Sequence, residues 1–323
     1  MKYKAAIIGC GNIGALYDRP DQFDRILTHA HAYSLEPRIH LCAMADIDEQ
    51  KADNAAKIWG GKPYSDATEM LEHENIDIIS ICVPDEHHEN MLDLCKSYHP
   101  KAVFCEKPIT LDVASAEQIV EEYADSGILL AVNYSRRFDT SLMTLKKEIV
   151  KGTYGDVLNA IGIYTKGILH NGSHVIDIFN FLFGSVIHKV PLSGRIDWRP
   201  EDPTLDAYLE FSEGAKAHLI GADERQFSIF DVDILCEKAR FQFIQFGMKM
   251  VEYRIRKDPL YPGYKDLTDG KITQTKLNKA MLYAIANIID TIEKKDTLIC
   301  SGTDAVIAQK ICIELIQEYK KRA

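Results

Sequence analysis

The hexapeptide Gly9-Cys10-Gly11-Asn12-Ile13-Gly14 directly follows the apolar run Ala5-Ala6-Ile7-Ile8, and no other feature constrains the fold as much. A buried strand that ends in closely spaced glycines lets backbone approach a ligand. The N–H groups of the next turn can then be aimed at a pyrophosphate. A G-x-G-x-x-G without context is weak evidence, but this one sits behind a strand, and a second strand, 40–46, ends in Asp46. A carboxylate at that strand end accepts hydrogen bonds from an adenosine ribose and repels a 2′-phosphate, which favours NAD over NADP. The gap from the glycines to Asp46 exceeds the usual spacing of about 20 residues. The segment Tyr17-Asp18-Arg19-Pro20-Asp21-Gln22-Phe23-Asp24 reads as an inserted loop that accounts for the excess.

Strand patterns at 3–9, 40–46, 77–83, 101–105 and 128–132 alternate with helical patterns at 49–59, 66–73, 86–97 and 112–126. Ile78, Ile79, Ile81 and Val83 form a nearly continuous apolar run, as in a parallel strand buried on both faces. The pattern predicts an N-terminal doubly wound parallel (Rossmann) sheet, with residues 1–130 as a dinucleotide-binding domain. After 130 the character changes. An amphipathic helix at 139–150 precedes strands at 157–165, 187–192, 205–211, 215–221, 229–235, 239–246 and 249–256. Turns fall at 212–214 and 237–238, and helices at 277–294 and 303–320 close the chain. Residues 131–323 are therefore expected to form a C-terminal α+β domain, a large open and mostly antiparallel sheet for substrate binding and oligomerisation. One face would be covered by helices and the other by a second subunit, in a homodimer or homotetramer.

The chain has 323 residues, 46% hydrophobic and 27% charged, with a net charge of −10. That composition belongs to a soluble globular protein long enough for two domains. No basic cluster interleaved with aromatics is present, which argues against a nucleic-acid partner. No apolar run of about 18 residues suggests a membrane span, and the start lacks a signal-peptide pattern. The eight cysteines include no C-x-x-C; they read as reduced thiols of a cytoplasmic protein. His29 and His31 lack the companion ligands a metal site needs, so no metal is expected.

The triplet Glu106-Lys107-Pro108 ends the strand at 101–105. Ligands bind at the carboxyl ends of such strands. Proline restricts the residue before it, so the Lys107 ammonium has a fixed approach to a substrate hydroxyl or a developing alkoxide. Arg136 and Arg137 follow the last strand of the first domain, where an arginine can meet an anionic substrate or pair with Asp139.

Taken together, these segments resemble the Gfo/Idh/MocA oxidoreductase family. The resemblance rests on Gly9, Gly11 and Gly14, on Val83-Pro84-Asp85-Glu86-His87-His88, and on Glu106-Lys107-Pro108. It continues through Asn133-Tyr134-Ser135-Arg136-Arg137-Phe138-Asp139, Gly152-Thr153-Tyr154-Gly155 and Gly172-Ser173-His174-Val175-Ile176-Asp177, and covers about the first 185 residues. It implies a nicotinamide-dependent dehydrogenase or reductase acting on CH–OH groups of a small carbohydrate. The cofactor-binding residues would be Gly9, Gly11, Asn12, Ile13, Gly14, Asp46, Val83, Pro84, His88, Glu106 and Lys107. The resemblance places Lys107 and His174 in the catalytic roles. An imidazole can take the hydroxyl proton as hydride leaves the carbon, and Asp177, one helical turn further, can orient it. His170, Asn171, Asp177, Arg137 and Tyr164 are the expected substrate contacts.

One position departs from the family pattern. Aspartate often stands four residues before the catalytic histidine, and here that residue is His170. An imidazole cannot offer the same anionic partner, which points away from inositol- and glucose-type substrates and towards an acidic or nucleotide-linked sugar. Two further classes fit the same architecture: a glycoside hydrolase that oxidises its sugar transiently with NAD, and a non-catalytic NAD-bound sensor.

Overall fold

The computed structural model describes residues 2–322. The chain divides into two compact units, residues 1–138 with 278–307, and residues 139–277 with 308–323. The boundary expected at residue 130 therefore shifts to 138, and the expected second domain gives residues 278–307 back to the first unit. The reason is in the packing. Ser301 bridges to Ala131 of the last strand, and Asn278 accepts from the Ile26 amide through its carbonyl oxygen at 2.7 Å.

The first unit contains β1 (Tyr3–Ile8), α1 (His29–Leu35), β2 (Ile39–Ala45), α2 (Glu49–Trp59), β3 (Lys62–Tyr64), α3 (Ala67–His73), β4 (Ile78–Ile81), α4 (His88–Ser97), β5 (Ala102–Cys105), α5 (Val113–Ser126) and β6 (Leu129–Val132). All strand pairs are parallel, in the order β3-β2-β1-β4-β5-β6. This is a doubly wound sheet whose order reverses between β1 and β4. Its centre is fully apolar: Ala5, Ala6, Ile7, Ile78, Val103 and Phe104 are all buried. Asp48, Asp66 and Asp112 cap α2, α3 and α5 by accepting first-turn amides, each worth about 1 kcal/mol. Gly127 takes a left-handed φ of 70° to stop α5.

Two local features differ from the sequence expectation. The helix after Gly11 is only a five-residue π-type turn, Asn12–Leu16, and β3, a short edge strand, has no alternating signal. The insertion does form a loop, and buried Asp18 closes it. Its carboxylate accepts from the Leu27 amide at 2.5 Å, the Thr28 hydroxyl at 2.5 Å and His31 Nδ1 at 2.9 Å.

The second unit contains α6 (Thr140–Val150), β7 (Val157–Tyr164), α7 (Ser173–Phe183), β8 (Val186–Arg199), β9 (Asp202–Phe211), β10 (Lys216–Gly221), β11 (Phe230–Cys236), β12 (Ala239–Ile244), β13 (Lys249–Lys257), β14 (Lys265–Leu267) and β15 (Lys271–Gln274). They form a nine-stranded sheet, β14-β13-β12-β11-β7-β10-β9-β8, with β15 also on β13. Every pair is antiparallel except β10 with β7. Strands β11 and β12 alternate strictly between buried and half-buried positions, so one face is core. The other face carries a polar ladder in which Arg240 and Gln242 donate to Asp233 and Tyr253 donates to Gln242. Helix α7 lies very close to the sheet: a Cβ on Gly162 of β7 would run into Val175. The last helices are α8 (Ala280–Ile292), in the first unit, and α9 (Gly302–Arg322), whose residues from 308 onward belong to the second.

Candidate active site

A cleft of about 650 Å³ opens at the carboxyl ends of β1, β2 and β4, lined by Gly9, Gly11, Asn12, Ile13, Asp46, Val83 and Pro84 among others. Three glycines shape it for three different reasons. Gly9 has φ +98°, and a Cβ there would lie 2.6 Å from the Cys82 carbonyl. A Cβ on Gly14 would strike the Gly9 carbonyl oxygen. Around Gly11, however, no protein atom lies within 4 Å of where a Cβ would stand. The protein's own packing therefore does not demand a glycine at 11. Asn12 and Ile13 present the first amides of the turn, which have no acceptor within it. The turn itself is held by the Trp59 indole, which donates to the Ala15 carbonyl at 2.9 Å.

Asp46 is fixed from two sides. Its Oδ2 accepts from the Cys10 amide at 2.8 Å and its Oδ1 from the Asp48 amide at 2.9 Å. The carboxylate faces the cleft with its orientation set, as a ribose-binding group needs. Burial, and then the charge of Asp46, pushes the Cys10 thiol up to about 12, so it stays protonated beside the cradle. Sequence reasoning missed Ile47, Lys51, Ser65, Thr68, Asn90 and Met91, which also line the cleft. Their positions on loops and on the flanking helices α2, α3 and α4 carry no motif.

Several expected cofactor contacts have structural duties. His88 is fully buried; its Nδ1 lies 2.5 Å from the Pro108 carbonyl and its Nε2 3.0 Å from the Val83 carbonyl. It pins two strand ends to each other, and this replaces the expected direct contact. The Glu106 carboxylate turns inward, accepting from His29 Nε2 at 3.0 Å and Asn133 Nδ2 at 2.6 Å. Burial alone would raise its pKa, but the His29 and Asn133 bonds and the nearby Lys107 ammonium hold it below the ordinary value. Lys107 is half-buried at the same strand end, joined to Pro108 by a cis peptide bond. His29 and His31 are both buried and engaged within this unit. Among the described residues no cluster of three or more His, Cys, Asp or Glu is placed to hold a metal ion.

Arg137 has structural partners in the first unit. It is buried, and its guanidinium bonds the Ile299 carbonyl at 3.2 Å and pairs with Asp304 at 2.9 Å. It fastens the returning 299–304 segment.

In the second unit the segment from Lys166 to Asn171 runs from β7 into α7 and is held by side chains from β8 and β9. Asp197 accepts the Lys166 amide at 3.0 Å, Thr204 Oγ1 accepts the Gly167 amide at 2.7 Å, and Asp202 accepts the Leu169 and His170 amides at 2.7 and 3.0 Å. Asn171 donates to the Thr165 carbonyl at 2.9 Å. His170 is half-buried, its ring 5.8 Å from that of Trp198, and the Lys166 ammonium lies 4.3 Å above the same indole. His174 sits half-buried in the first turn of α7, edge-on to Phe230 at 6.4 Å. Asp177, one turn on, is buried in the helix.

Tyr164 is not a pocket residue. It is fully buried; its hydroxyl donates to the Leu205 carbonyl at 2.8 Å and accepts the Leu205 amide at 2.9 Å. A Cβ on Gly172 would approach its ring within 2.8 Å. It is the floor on which the turn before α7 rests.

Fold and cleft together define a dinucleotide-binding Rossmann unit joined to a second unit built on a large mixed sheet. Residues 3–134 match the model of the oxidoreductase family with an NAD-binding Rossmann fold. This nucleotide-binding segment is therefore similar to the Gfo/Idh/MocA oxidoreductases, a family described as NAD-binding. Among its relatives, a myo-inositol 2-dehydrogenase from Thermotoga maritima is 28% identical over 153 residues, covering 47% of this chain and 42% of the relative. A scyllo-inositol 2-dehydrogenase (NAD(+)) from Bacillus subtilis is 28% identical over 242 residues, covering 66% of this chain and 65% of the relative. These two alignments thus span 42% and 65% of the relatives' own length. Among solved structures, a UDP-N-acetylglucosamine 3-dehydrogenase from Acidithiobacillus ferrooxidans superposes with a TM-score of 0.78 at 14% identity, covering 99% of each chain. That likeness shows that the fold is shared from end to end.

Proposed function

We propose that the protein is an NAD-dependent oxidoreductase that moves a hydride between nicotinamide and a ring carbon of a carbohydrate. The observation that carries the reading is the open space at Gly11 beside a fixed Asp46 carboxylate, in a chain that also keeps Lys107 and His174. The named activities of the inositol dehydrogenase relatives support it.

The bound dinucleotide supplies the hydride acceptor. The chain's own residues do the rest. Asp46 holds the adenosine ribose through its hydroxyls, and the Asn12 and Ile13 amides meet the pyrophosphate. His174 takes the proton from the substrate hydroxyl as the C–H bond breaks and returns it in the reverse direction. Lys107, charged beside anionic Glu106, stabilises negative charge that builds on a substrate oxygen. His170 and Asn171 position the sugar.

The substrate we favour is an acidic or nucleotide-linked sugar. Where the family often has an anionic aspartate, this chain has His170, and the Lys166 ammonium lies on the Trp198 indole next to it. That surroundings suits a carboxylate or phosphate better than a neutral polyol. Comparing initial rates of NAD reduction with sugar acids, nucleotide sugars, myo-inositol and simple hexoses tests the choice; preference for the neutral polyols overturns it. We also propose a homo-oligomer that uses the half-buried outer face of the nine-stranded sheet. Light scattering of the full chain should give more than one copy, and a monomer at working concentration rules that out.

A further inference from the structure

We propose that His29, which has no part in the reaction scheme above, is a positioning residue: it fixes the Glu106 carboxylate and, through it, holds the Lys107 ammonium in place. His29 is fully buried on α1, and its two ring nitrogens face two different strands. Nε2 lies 3.0 Å from Glu106 Oε1, just past the end of β5. Nδ1 lies 2.8 Å from Ser80 Oγ in β4, and Ser80 Oγ lies 2.7 Å from the Tyr33 hydroxyl.

The hydrogens of this chain can be placed in only one way if the imidazole carries a single hydrogen. An ionised carboxylate only accepts, so Nε2–H donates to Glu106. Nδ1 then accepts from Ser80, and Ser80 accepts from Tyr33. All the donors point the same way and end on Glu106, where the Asn133 amide adds a second bond to the same oxygen at 2.6 Å. A buried polar chain in which each hydrogen is used specifies one geometry. Tyr33 and Ser80 are both buried, so the chain is closed to solvent at its far end. It therefore holds the carboxylate still and is no route for protons.

The consequence falls on the next residue. The titratable groups around Glu106 are His29, Lys107 and the thiols of Cys82 and Cys105. Burial, and then the charge of Glu106, pushes both thiols well above their usual range, and Asp85 adds to this at Cys105. Neither thiol is an anion, so Glu106 is the negative partner beside the Lys107 ammonium. Without His29, burial would favour the neutral carboxyl and Lys107 would lose that partner. Lys107 keeps its charge as the pH falls, but with Glu106 neutral nothing anionic holds the ammonium in place for the role proposed above.

The test uses the full chain labelled with carboxyl-¹³C glutamate, the Glu106 resonance being assigned by its loss in Glu106→Gln. In His29→Asn the shorter amide reaches only the Nδ1 position, serving Ser80 and leaving Glu106. In His29→Gln the amide nitrogen reaches the Nε2 position. The Glu106 titration midpoint should rise in His29→Asn by about one pH unit or more and return close to the wild-type value in His29→Gln. The acid limb of kcat/KM should follow it, while NAD affinity at neutral pH stays unchanged. An unmoved midpoint in His29→Asn, or identical behaviour of the Asn and Gln variants, overturns the proposal. Should His29→Asn fail to fold, Ser80→Ala deletes a single atom and must raise the midpoint in the same direction; no rise there overturns it equally. A midpoint that moves while the rate profile does not upholds the positioning of Glu106 and counts against the function given to Lys107.

Discussion

The cradle around Gly9–Gly14 and the turn before α7 are built in opposite ways. The cradle is local: its shape comes from three glycines within six residues and one carboxylate at the end of the adjacent strand. The turn before α7 is held from far along the chain. Asp197, Asp202 and Thr204 come from β8 and β9, more than thirty residues downstream in the case of Asp202, to satisfy the backbone amides of Lys166, Gly167, Leu169 and His170. The first kind depends on a few neighbouring residues, whereas the second depends on strands distant in sequence.

Mutations can break this contrast, and the largest effects should come from the reacting groups. Lys107→Ala and His174→Ala should each lower kcat/KM on the order of 10²–10⁴-fold while the fluorescence-measured NAD affinity stays near the wild-type value. Equal loss of NAD binding would merge the two regions into one. Next in size, Asp46→Ala removes a charged acceptor at the ribose. It should weaken NAD binding roughly ten- to a hundredfold and narrow the gap to NADP; an unchanged NAD/NADP ratio would remove Asp46 from cofactor choice. Asp202→Asn sharpens the comparison from the other side. It keeps one acceptor for the two amides, so thermal denaturation should show a loss of about 1–3 kcal/mol with NAD affinity intact and KM for the sugar raised. The smallest effect is on acid stability. The Asp304 carboxyl is pushed up by burial but pulled below its ordinary value by the Arg137 charge. A depressed carboxylate stabilises the fold above its unfolded pKa, and that contribution is lost as pH falls through the folded value. Arg137→Met should therefore flatten the loss of stability below about pH 4, and an unchanged slope in acid denaturation would show the pair to be inert.

The same contrast explains what could be read from the sequence. The Rossmann unit was legible because its strands are continuous apolar runs and its binding groups follow each other within short motifs. The alternation of Ala207-Tyr208-Leu209-Glu210-Phe211 and the turn at Ser212-Glu213-Gly214 likewise foretold the hairpin of β9 and β10. Residue type alone could not tell a ligand contact from a buried strut. Arg137, His88 and Tyr164 have functional-looking side chains, and each is used by a partner distant in sequence: Asp304, the Pro108 carbonyl and Leu205. The return of residues 278–307 to the first unit has the same origin, since it depends on α8 burying Met281, Ile285 and Ile288 on elements far behind it in the chain. β14 and β15 are too short and too exposed to leave a pattern.

The central claim is that hydride passes directly from a sugar carbon to the nicotinamide held by the first unit. It is tested by giving the full chain NAD and its best substrate deuterated at the ring carbons, then recovering the dinucleotide for mass spectrometry and NMR. The account predicts one deuterium at nicotinamide C4 for each sugar oxidised, and none with His174→Ala over the same time. Deuterium found only in water, or a cleaved glycoside with no net reduction of the dinucleotide, would contradict it.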